Sequence, residues 1–142
     1  MSATQLTTRP QSVDATAART WLRRFLALDA VVTGGNGLAY LALSGPLGDL
    51  LGVDRTLLVG LGAFLTAFAA AVGYLASRPQ PPALGVRFVV ESNLLWAALS
   101  IAALALWLSP TTAGTVWIPM QAATVAGFAT LQYGALRAAL RT

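Results

Sequence analysis

The chain has 142 residues, of which 56% are hydrophobic and 10% charged, and its mean hydropathy is +0.68. Ordinary soluble domains carry roughly 25% charged residues, so this composition argues against a soluble domain. Cys and His are both absent from the sequence, which excludes thiol nucleophiles, disulfides, histidine-ligated haem and the usual zinc sites. We therefore predict neither a metal nor a cofactor.

The charge is basic, with a net value of +4 and an isoelectric point of 10.7, and every basic residue is an arginine. These arginines are dispersed along the chain and form no basic stripe interleaved with aromatic side chains, so we predict no nucleic-acid partner. The abundance of Ala, Leu, Gly and Arg is typical of a high-G+C bacterial genome.

Four apolar stretches, each about as long as a bilayer is thick, follow one another along the chain. They cover residues 25–43, 57–76, 88–108 and 113–136. At about 1.5 Å of rise per residue, each stretch crosses a hydrocarbon core of roughly 30 Å as a helix, the form that satisfies its own backbone hydrogen bonds in lipid. The predicted fold is an all-α, four-pass transmembrane bundle, and its short connections predict antiparallel packing of consecutive helices.

The N-terminal segment has a different composition from the rest of the chain. Residues 1–20 lack an apolar core and are mostly Ser, Thr, Ala and Gln, so they do not form a signal peptide. We expect a short flexible cytoplasmic tail over residues 1–20 and a transmembrane domain over residues 21–142.

The distribution of arginines predicts the orientation, because short loops rich in Lys or Arg stay in the cytoplasm. Eight arginines fall on the side that holds both termini: Arg9, Arg19, Arg23, Arg24, Arg78, Arg87, Arg137 and Arg141. Only Arg55 falls on the other side. The predicted location is the bacterial cytoplasmic membrane, with both termini inside.

The first outer connection contains a second periodic pattern. Leu47, Leu50 and Leu51 recur at helical spacing, which predicts a short amphipathic turn over residues 46–53 in the outer interface. Asp54 or Thr56 is expected to cap the next helix.

Helix one carries the best candidate for a functional face. Asp29, Thr33, Asn36 and Tyr40 stand at offsets of 0, 4, 7 and 11, which a period of 3.6 places on one narrow stripe. A carboxylate at this depth costs on the order of 2.5–3.5 kcal/mol on insertion scales, so it usually pairs, protonates or serves a pathway. Functional and structural roles for Asp29 both remain open at this point.

The other helices supply partners for this stripe. No basic residue lies one turn from Asp29, so its partner must come from another helix, where Arg87, Asn93 and Gln132 stand at similar depth. Glu91 is four residues after Arg87, a spacing that predicts a salt bridge at the inner rim with Arg23 and Arg24 as rival partners. Glu91 and Asn93 point to nearly opposite faces and cannot both line one pocket with Asp29.

The predicted site therefore has two parts. The intramembrane polar residues are Asp29, Thr33, Asn36, Tyr40, Glu91, Asn93, Gln121 and Gln132. The charge partners at the inner rim are Arg23, Arg24 and Arg87. Asn, Gln and Thr in membrane helices most often serve as packing contacts worth about 0.6 kcal/mol each. This interpretation is favoured for Asn36, Thr66, Gln121 and Thr124. Trp96 shares a face with Asn93 and Ser100 that could hold a lipid or quinone headgroup, although a tryptophan in this position is more often a packed side chain.

The sequence over residues 26–53 reads LALDAVVTGGNGLAYLALSGPLGDLLGV and precedes a neutral, glycine-rich second span. In its span order and its Leu-Asp-Ala, Gly-Pro-Leu and Leu-Leu-Gly-Val elements, the chain resembles small four-helix membrane proteins of high-G+C bacteria, loosely DoxX-like. The resemblance implies the fold and an association with membrane redox partners. It supplies no catalytic motif.

Three function classes follow from these observations. We expect a non-catalytic accessory or assembly component that binds a membrane partner or lipid, as a homo-oligomer or in a larger membrane complex. The alternative is a small transporter or proton-conducting protein, dimeric, that uses the polar stripe centred on Asp29. An intramembrane enzyme with Asp29 and Glu91 as acid and base is disfavoured, because potential catalytic groups are few.

Overall fold

The computed structural model describes residues 3–141, with side chains from Asp14 onward, and this part of the chain is all-helical. Four long helices and one short one follow in chain order: α1 (Ala3–Ala42), α2 (Ser44–Leu51), α3 (Arg55–Ser77), α4 (Ala83–Leu106) and α5 (Thr112–Ala139). The four predicted apolar stretches thus lie within α1, α3, α4 and α5, apart from a few end residues.

Three of these helices are long and apolar enough to cross a membrane. In the searched part of the chain they are Asp14–Ala42 within α1, all of α3 and all of α4. Few of their residues are buried within the bundle, and large apolar side chains such as Val31, Leu84 and Leu106 are exposed on its outside. A surface of this kind suits lipid rather than water.

The start of α1 differs from the predicted tail. Residues 3–20 continue α1 without a break at Thr20, whereas Met1 and Ser2 lie outside the described residues. Ala15 and Leu22 are both buried, so helix packing in α1 begins before the apolar span. The composition of the segment correctly excludes an apolar core, but Ala and Arg are also good helix formers.

The helix contacts show an up-and-down arrangement. On α1 and α3, Arg23 bonds to Ala76 near one end and Gly37 meets Thr66 further along, so these two helices run antiparallel. On α1 and α5, Asp29 pairs with Gln132 and Tyr40 with Trp117, which is again antiparallel. We call the end of the bundle near Arg23 the arginine-rich end and the opposite end the Arg55 end.

Consecutive helices do not all pack, which corrects one expectation. The helices α1 and α3 pack closely, as do α4 and α5 and, to a lesser extent, α1 and α5, but α3 and α4 touch at only a few points. The proline-rich link between α3 and α4 holds their ends together, and side chains such as Leu75 meet α4 beside it, but the two helix backbones do not pack closely along their length. The bundle is therefore open along one side.

Helix α2 confirms that the predicted turn over residues 46–53 is largely helical, and it joins two parts of the Arg55 end. Gly52 ends it in the left-handed conformation with φ 68°, and the Asp54 side chain accepts a 2.8 Å bond from Thr56 N, which confirms the predicted cap. The Thr111 amide donates to the Leu51 carbonyl at 3.2 Å. Helix α2 is thereby fixed to the start of α5.

Candidate functional site

Asp29 lies at the centre of a fully buried polar cluster that joins three helices. The hydroxyl of Thr33 donates to Asp29 Oδ1 at 2.8 Å, while Asn93 Nδ2 and Gln132 Nε2 donate to Oδ2 at 2.7 and 2.8 Å. Asn93 Nδ2 also lies 3.4 Å from Gln132 Oε1. Asp29 and Gln132 are 0% exposed, and Asn93 is 3% exposed. We call these four residues the Asp29 cluster.

The local sequence explains why these side chains meet. Asp29 and Thr33 are one turn apart on α1, so their bond follows from helix geometry. Buried apolar side chains lie on either side of the cluster along the bundle, with Leu26 toward the arginine-rich end and Leu65 toward the Arg55 end. Two of the three expected partners of Asp29, Asn93 and Gln132, bond to it, whereas Arg87 does not.

The electrostatics of the Asp29 cluster are unusual for a buried acid. All three donors are neutral, and no arginine of the described chain bonds to the carboxylate. A buried charged group is normally stabilised by a counter-charge or by several hydrogen bonds, and here only the hydrogen bonds are present. The arrangement holds α1, α4 and α5 together and leaves no oxygen of Asp29 facing solvent.

A second polar group, which we call the outer polar group, lies toward the Arg55 end. Trp117 Nε1 donates to the Tyr40 hydroxyl at 2.8 Å, and Trp96 Nε1 donates to Gln121 Oε1 at 2.9 Å. These residues and half-buried Asn36 line a cavity of about 150 Å³ that reaches Thr33. The predicted stripe on α1 is therefore divided between the Asp29 cluster and the outer polar group.

The open side of the bundle forms a largely apolar cleft between α3 and α4. The part toward the Arg55 end has a volume of about 310 Å³ and the part toward the arginine-rich end about 450 Å³, and Phe68 lines both. The part toward the Arg55 end reaches Thr33 and Asn93 of the Asp29 cluster. Phe64 and Trp96 stack across it with ring centroids 5.8 Å apart. We call this space the α3–α4 cleft.

Glu91 lies away from the Asp29 cluster, as its spacing from Asn93 predicted. It is exposed on the opposite face of α4, and the expected salt bridge with Arg87 is not formed among the described residues. Both side chains instead line a groove between α4 and α5. An exposed i, i+4 pair gains only about 0.3–0.5 kcal/mol, so solvation and neighbouring side chains readily outweigh it.

The other rim arginines also have individual partners. Arg23 Nε donates to the Ala76 carbonyl at 3.0 Å at the end of α3. The Arg24 guanidinium lies 5.0 Å from the centroid of the Trp21 ring. Neither residue contacts Glu91, so the structure does not unite the rim arginines and the acids in one site.

The chemistry available to these groups is limited. Asp29, on α1, bonds to the Asn93 face of α4, whereas Glu91 lies on the opposite face of α4, so the structure does not place them as an acid and base pair. Within the described chain, no three acidic side chains come close enough together to hold a metal ion. The hydrogen-bonding surface next to the α3–α4 cleft is the arrangement best suited to recognising a molecule.

Sequence reasoning missed two residues of this region, Phe64 and Trp117. Trp117 stands four residues before Gln121, so its place on the inner face of α5 was available from helical spacing. Phe64 carried no such signal, because its role depends on the separation of α3 and α4.

Comparison with known proteins adds no family assignment. No protein-family model matches the chain, and neither a curated protein nor a solved structure does. The resemblance to DoxX-like proteins therefore stays a prediction.

Proposed function

We propose that this protein is a non-catalytic, four-pass component of the bacterial cytoplasmic membrane that binds a lipid-class molecule in the α3–α4 cleft. The single observation that carries the proposal is the open seam between α3 and α4, which is apolar along its walls and reaches the Asp29 cluster at its floor. A site with apolar walls and few polar groups is typical of a small-molecule pocket.

The fourth crossing is assigned to α5. Its 28 residues correspond to about 42 Å of helix, and Arg137 in its last turn is its one charged residue. It packs against α1 and α4, two of the helices that are apolar enough to span. With four crossings, the excess of arginine at one end supports cytoplasmic termini.

The ligand class follows from the hydrogen-bonding group at the floor of the cleft that no other part of the described chain uses. Asn93 donates its side-chain amide hydrogens to Asp29 and Gln132, and its carbonyl oxygen accepts no bond from the described residues. A carboxylate only accepts, so the amide orientation of Asn93 is set by Asp29. The remaining carbonyl suits a ligand that donates, such as the hydroxyl of a long-chain alcohol, a diacylglycerol or a quinol.

The Asp29 cluster supports a binding role more than a reactive one. Its carboxylate is buried and accepts three hydrogen bonds, so it fixes the floor of the cleft and orients Asn93. Buried and satisfied polar networks of this kind make a site rigid.

A pair of light-activated probes tests this proposal: a photoactivatable long-chain alcohol and its matched alkane without the hydroxyl. We expect the alcohol to label peptides from α3 and α4 of the protein in native-lipid vesicles, several-fold more than the alkane does. Ser92→Trp places a large ring in the cleft and should abolish labelling. Ala98→Trp, on an exposed position of the same helix, is the matched control and should leave it unchanged.

Equal labelling by the two probes would show that the hydroxyl group does not contribute to binding. Equal labelling of the two tryptophan variants would show that the probe does not occupy the cleft. Either outcome contradicts the proposal.

Assembly with a second copy or in a larger membrane complex is part of the same proposal. Its support is a stripe of small, exposed residues along α5, namely Ala123, Gly127, Thr130 and Gly134. Small residues allow close approach between membrane helices, and the space beside Gly127 and Gly134 is open. Native mass spectrometry of gently extracted protein measures the stoichiometry, and a lone monomer would contradict this part.

A transport or proton-conducting role is the second candidate. The observation that favours it is the cavity of the outer polar group, which reaches Thr33, the hydrogen-bond partner of Asp29. Liposomes containing wild-type protein would then conduct protons, and Asp29→Asn would abolish the flux. Equal flux through wild type and Asp29→Asn would eliminate this role for Asp29.

A further inference from the structure

A second surface, distinct from the α3–α4 cleft, lies between α4 and α5 at the arginine-rich end. It is an open groove with a volume of about 830 Å³. Its charged and polar lining consists of Arg87, Glu91, Thr130, Tyr133, Arg137 and Arg141. We call it the basic groove.

The charges in the basic groove favour an anion. Three guanidinium groups and one carboxylate line it, and no ion pair joins Arg87 to Glu91 in the described chain. The Arg137 guanidinium lies 5.8 Å from the centroid of the Tyr133 ring, and both side chains line the groove. Arginine presents several donors in a planar fork that matches the oxygens of a phosphate.

The apolar part of the basic groove distinguishes a lipid from a free phosphate. Val90 and Leu94 on α4 and Ala129 and Leu136 on α5 form a wall that continues from the arginines toward the middle of the membrane. A free phosphate would use only the arginines, whereas an acyl chain would also cover this wall. Basic pockets between membrane helices on the cytoplasmic side are typical sites for anionic headgroups.

We propose that the basic groove binds one anionic phospholipid, with its phosphate on Arg137, Arg141 and Arg87 and an acyl chain along the apolar wall. Glu91 opposes this binding and limits its strength. The site is independent of any ligand in the α3–α4 cleft, because the two surfaces lie on opposite sides of α4.

Native mass spectrometry of delipidated protein in a neutral detergent tests this assignment. The protein is titrated with phosphatidylglycerol and, separately, with phosphatidylcholine of the same acyl chains. We expect phosphatidylglycerol to bind about tenfold more tightly to the wild type. A surface arginine contributes about fivefold to anionic lipid binding, so the double variant Arg137→Gln/Arg141→Gln should lose most of this preference.

Three controls make the result specific. Arg55→Gln removes an arginine from the other end and should keep the preference, whereas Glu91→Gln should strengthen phosphatidylglycerol binding by up to about fivefold. Excess glycerol 1-phosphate should not displace the lipid. All four substitutions change exposed side chains, and unchanged thermal unfolding confirms that each variant is folded.

The proposal is overturned if the two lipids bind the wild type equally or if Arg55→Gln loses as much as the double variant. Weaker binding by Glu91→Gln would show that the carboxylate assists rather than opposes the anion. Displacement by glycerol 1-phosphate would assign the groove to a soluble phosphate instead. The α3–α4 probes report on a different surface, so failure of one proposal leaves the other standing.

Discussion

Helix α1 is held by its neighbours in two different ways. Against α3 the contact is backbone to backbone: a Cβ atom on Gly37 would lie 2.8 Å from Thr66 N, and one on Gly62 would lie 2.8 Å from the Gly37 carbonyl oxygen. Against α4 and α5 the contact passes through the polar side chains of the Asp29 cluster.

The contrast between these two contacts shows which interactions hold helices together in lipid, where the solvent is as apolar as the side chains. Burial of apolar groups gives little net driving force in lipid, so close packing or interhelical hydrogen bonds must supply it. No side-chain hydrogen bond joins α3 to α4 among the described residues, and their backbones approach at only a few points, since the facing surfaces carry large side chains such as Phe64, Phe68 and Phe88. The α3–α4 seam therefore stays open, whereas the glycine contact closes α1 against α3 and the Asp29 cluster links α1 to α4 and α5.

The largest effect is expected from filling the glycine contact. Gly62→Leu would force α1 and α3 apart and lower the free energy of unfolding by about 3 kcal/mol, since overpacking of a tight interface cannot relax cheaply. Unfolding in mixed detergent micelles, followed by circular dichroism, measures this change. Gly60→Leu is the matched control on the same helix, because nothing lies within 4 Å of its added Cβ. Equal destabilisation of the two variants would contradict the close contact.

The Asp29 cluster is expected to show a smaller but more selective dependence. Asp29→Leu leaves the amide donors of Asn93 and Gln132 without an acceptor and should cost about 2 kcal/mol of unfolding free energy. Asp29→Asn should cost less, because its carbonyl can accept both amides while its amide donates to Thr33. Asp49→Leu, at an exposed acid of α2, is the control and should be nearly neutral. If Asp29→Leu equalled this control, the cluster would not hold the helices.

Two threonines, one in each seam, sharpen the contrast. Thr33 donates to the Asp29 carboxylate at 2.8 Å, whereas Thr66 donates to the Gly62 carbonyl at 2.7 Å within its own helix. Bonds to charged groups are worth about 1.5–3 kcal/mol and neutral ones about 0.5–1.5 kcal/mol, so Thr33→Val should destabilise more than Thr66→Val. The same detergent unfolding experiment compares them. The reverse order would mean that Thr66 contributes chiefly through the shape of the glycine contact.

The smallest effect is one of distance rather than stability. The chain has no native Cys, so spin labels can be attached at introduced cysteines alone. A label at Leu57 on α3 should show a narrow distance distribution to one at Leu38 on α1 and a broader one to one at Leu99 on α4. All three side chains are exposed, so labelling disturbs little. Pulsed electron paramagnetic resonance measures both pairs, and equal widths would contradict a loose α3–α4 seam.

The sequence predicted the parts of this structure that depend on one helix at a time. Apolar length located all four long helices, and helical spacing aligned Asp29 with Thr33 and separated Glu91 from Asn93. Depth counting brought Asn93 and Gln132 to the level of Asp29. The continuous helix across Thr20 was not predicted, because low hydropathy indicates exposure and does not exclude a helix.

Features that depend on several helices together could not be derived in this way. The gap between α3 and α4 arises because α3 packs mainly on α1 and α4 packs mainly on α5. Helical periodicity describes one helix at a time and does not compare the packing of alternative helix pairs. The division of the α1 stripe into two groups depends on which side chains of α4 and α5 stand opposite each turn. The missing Arg87–Glu91 pair reflects a balance of small energies that spacing alone does not resolve.

The sideways opening of the α3–α4 cleft determines how a ligand would reach it. Along α4 the cleft runs from Leu84 to Leu99, about 22 Å of helix, and in the proposed four-pass arrangement its long edge would face the lipid tails. A molecule entering there diffuses in two dimensions within the bilayer, and its local supply is set by its mole fraction among the lipids. Occupancy should therefore stay constant when vesicles are diluted in buffer and fall when unlabelled lipid is added. For a ligand of the proposed class, the dissociation constant would accordingly be expressed as a mole fraction in the lipid rather than as a concentration in water.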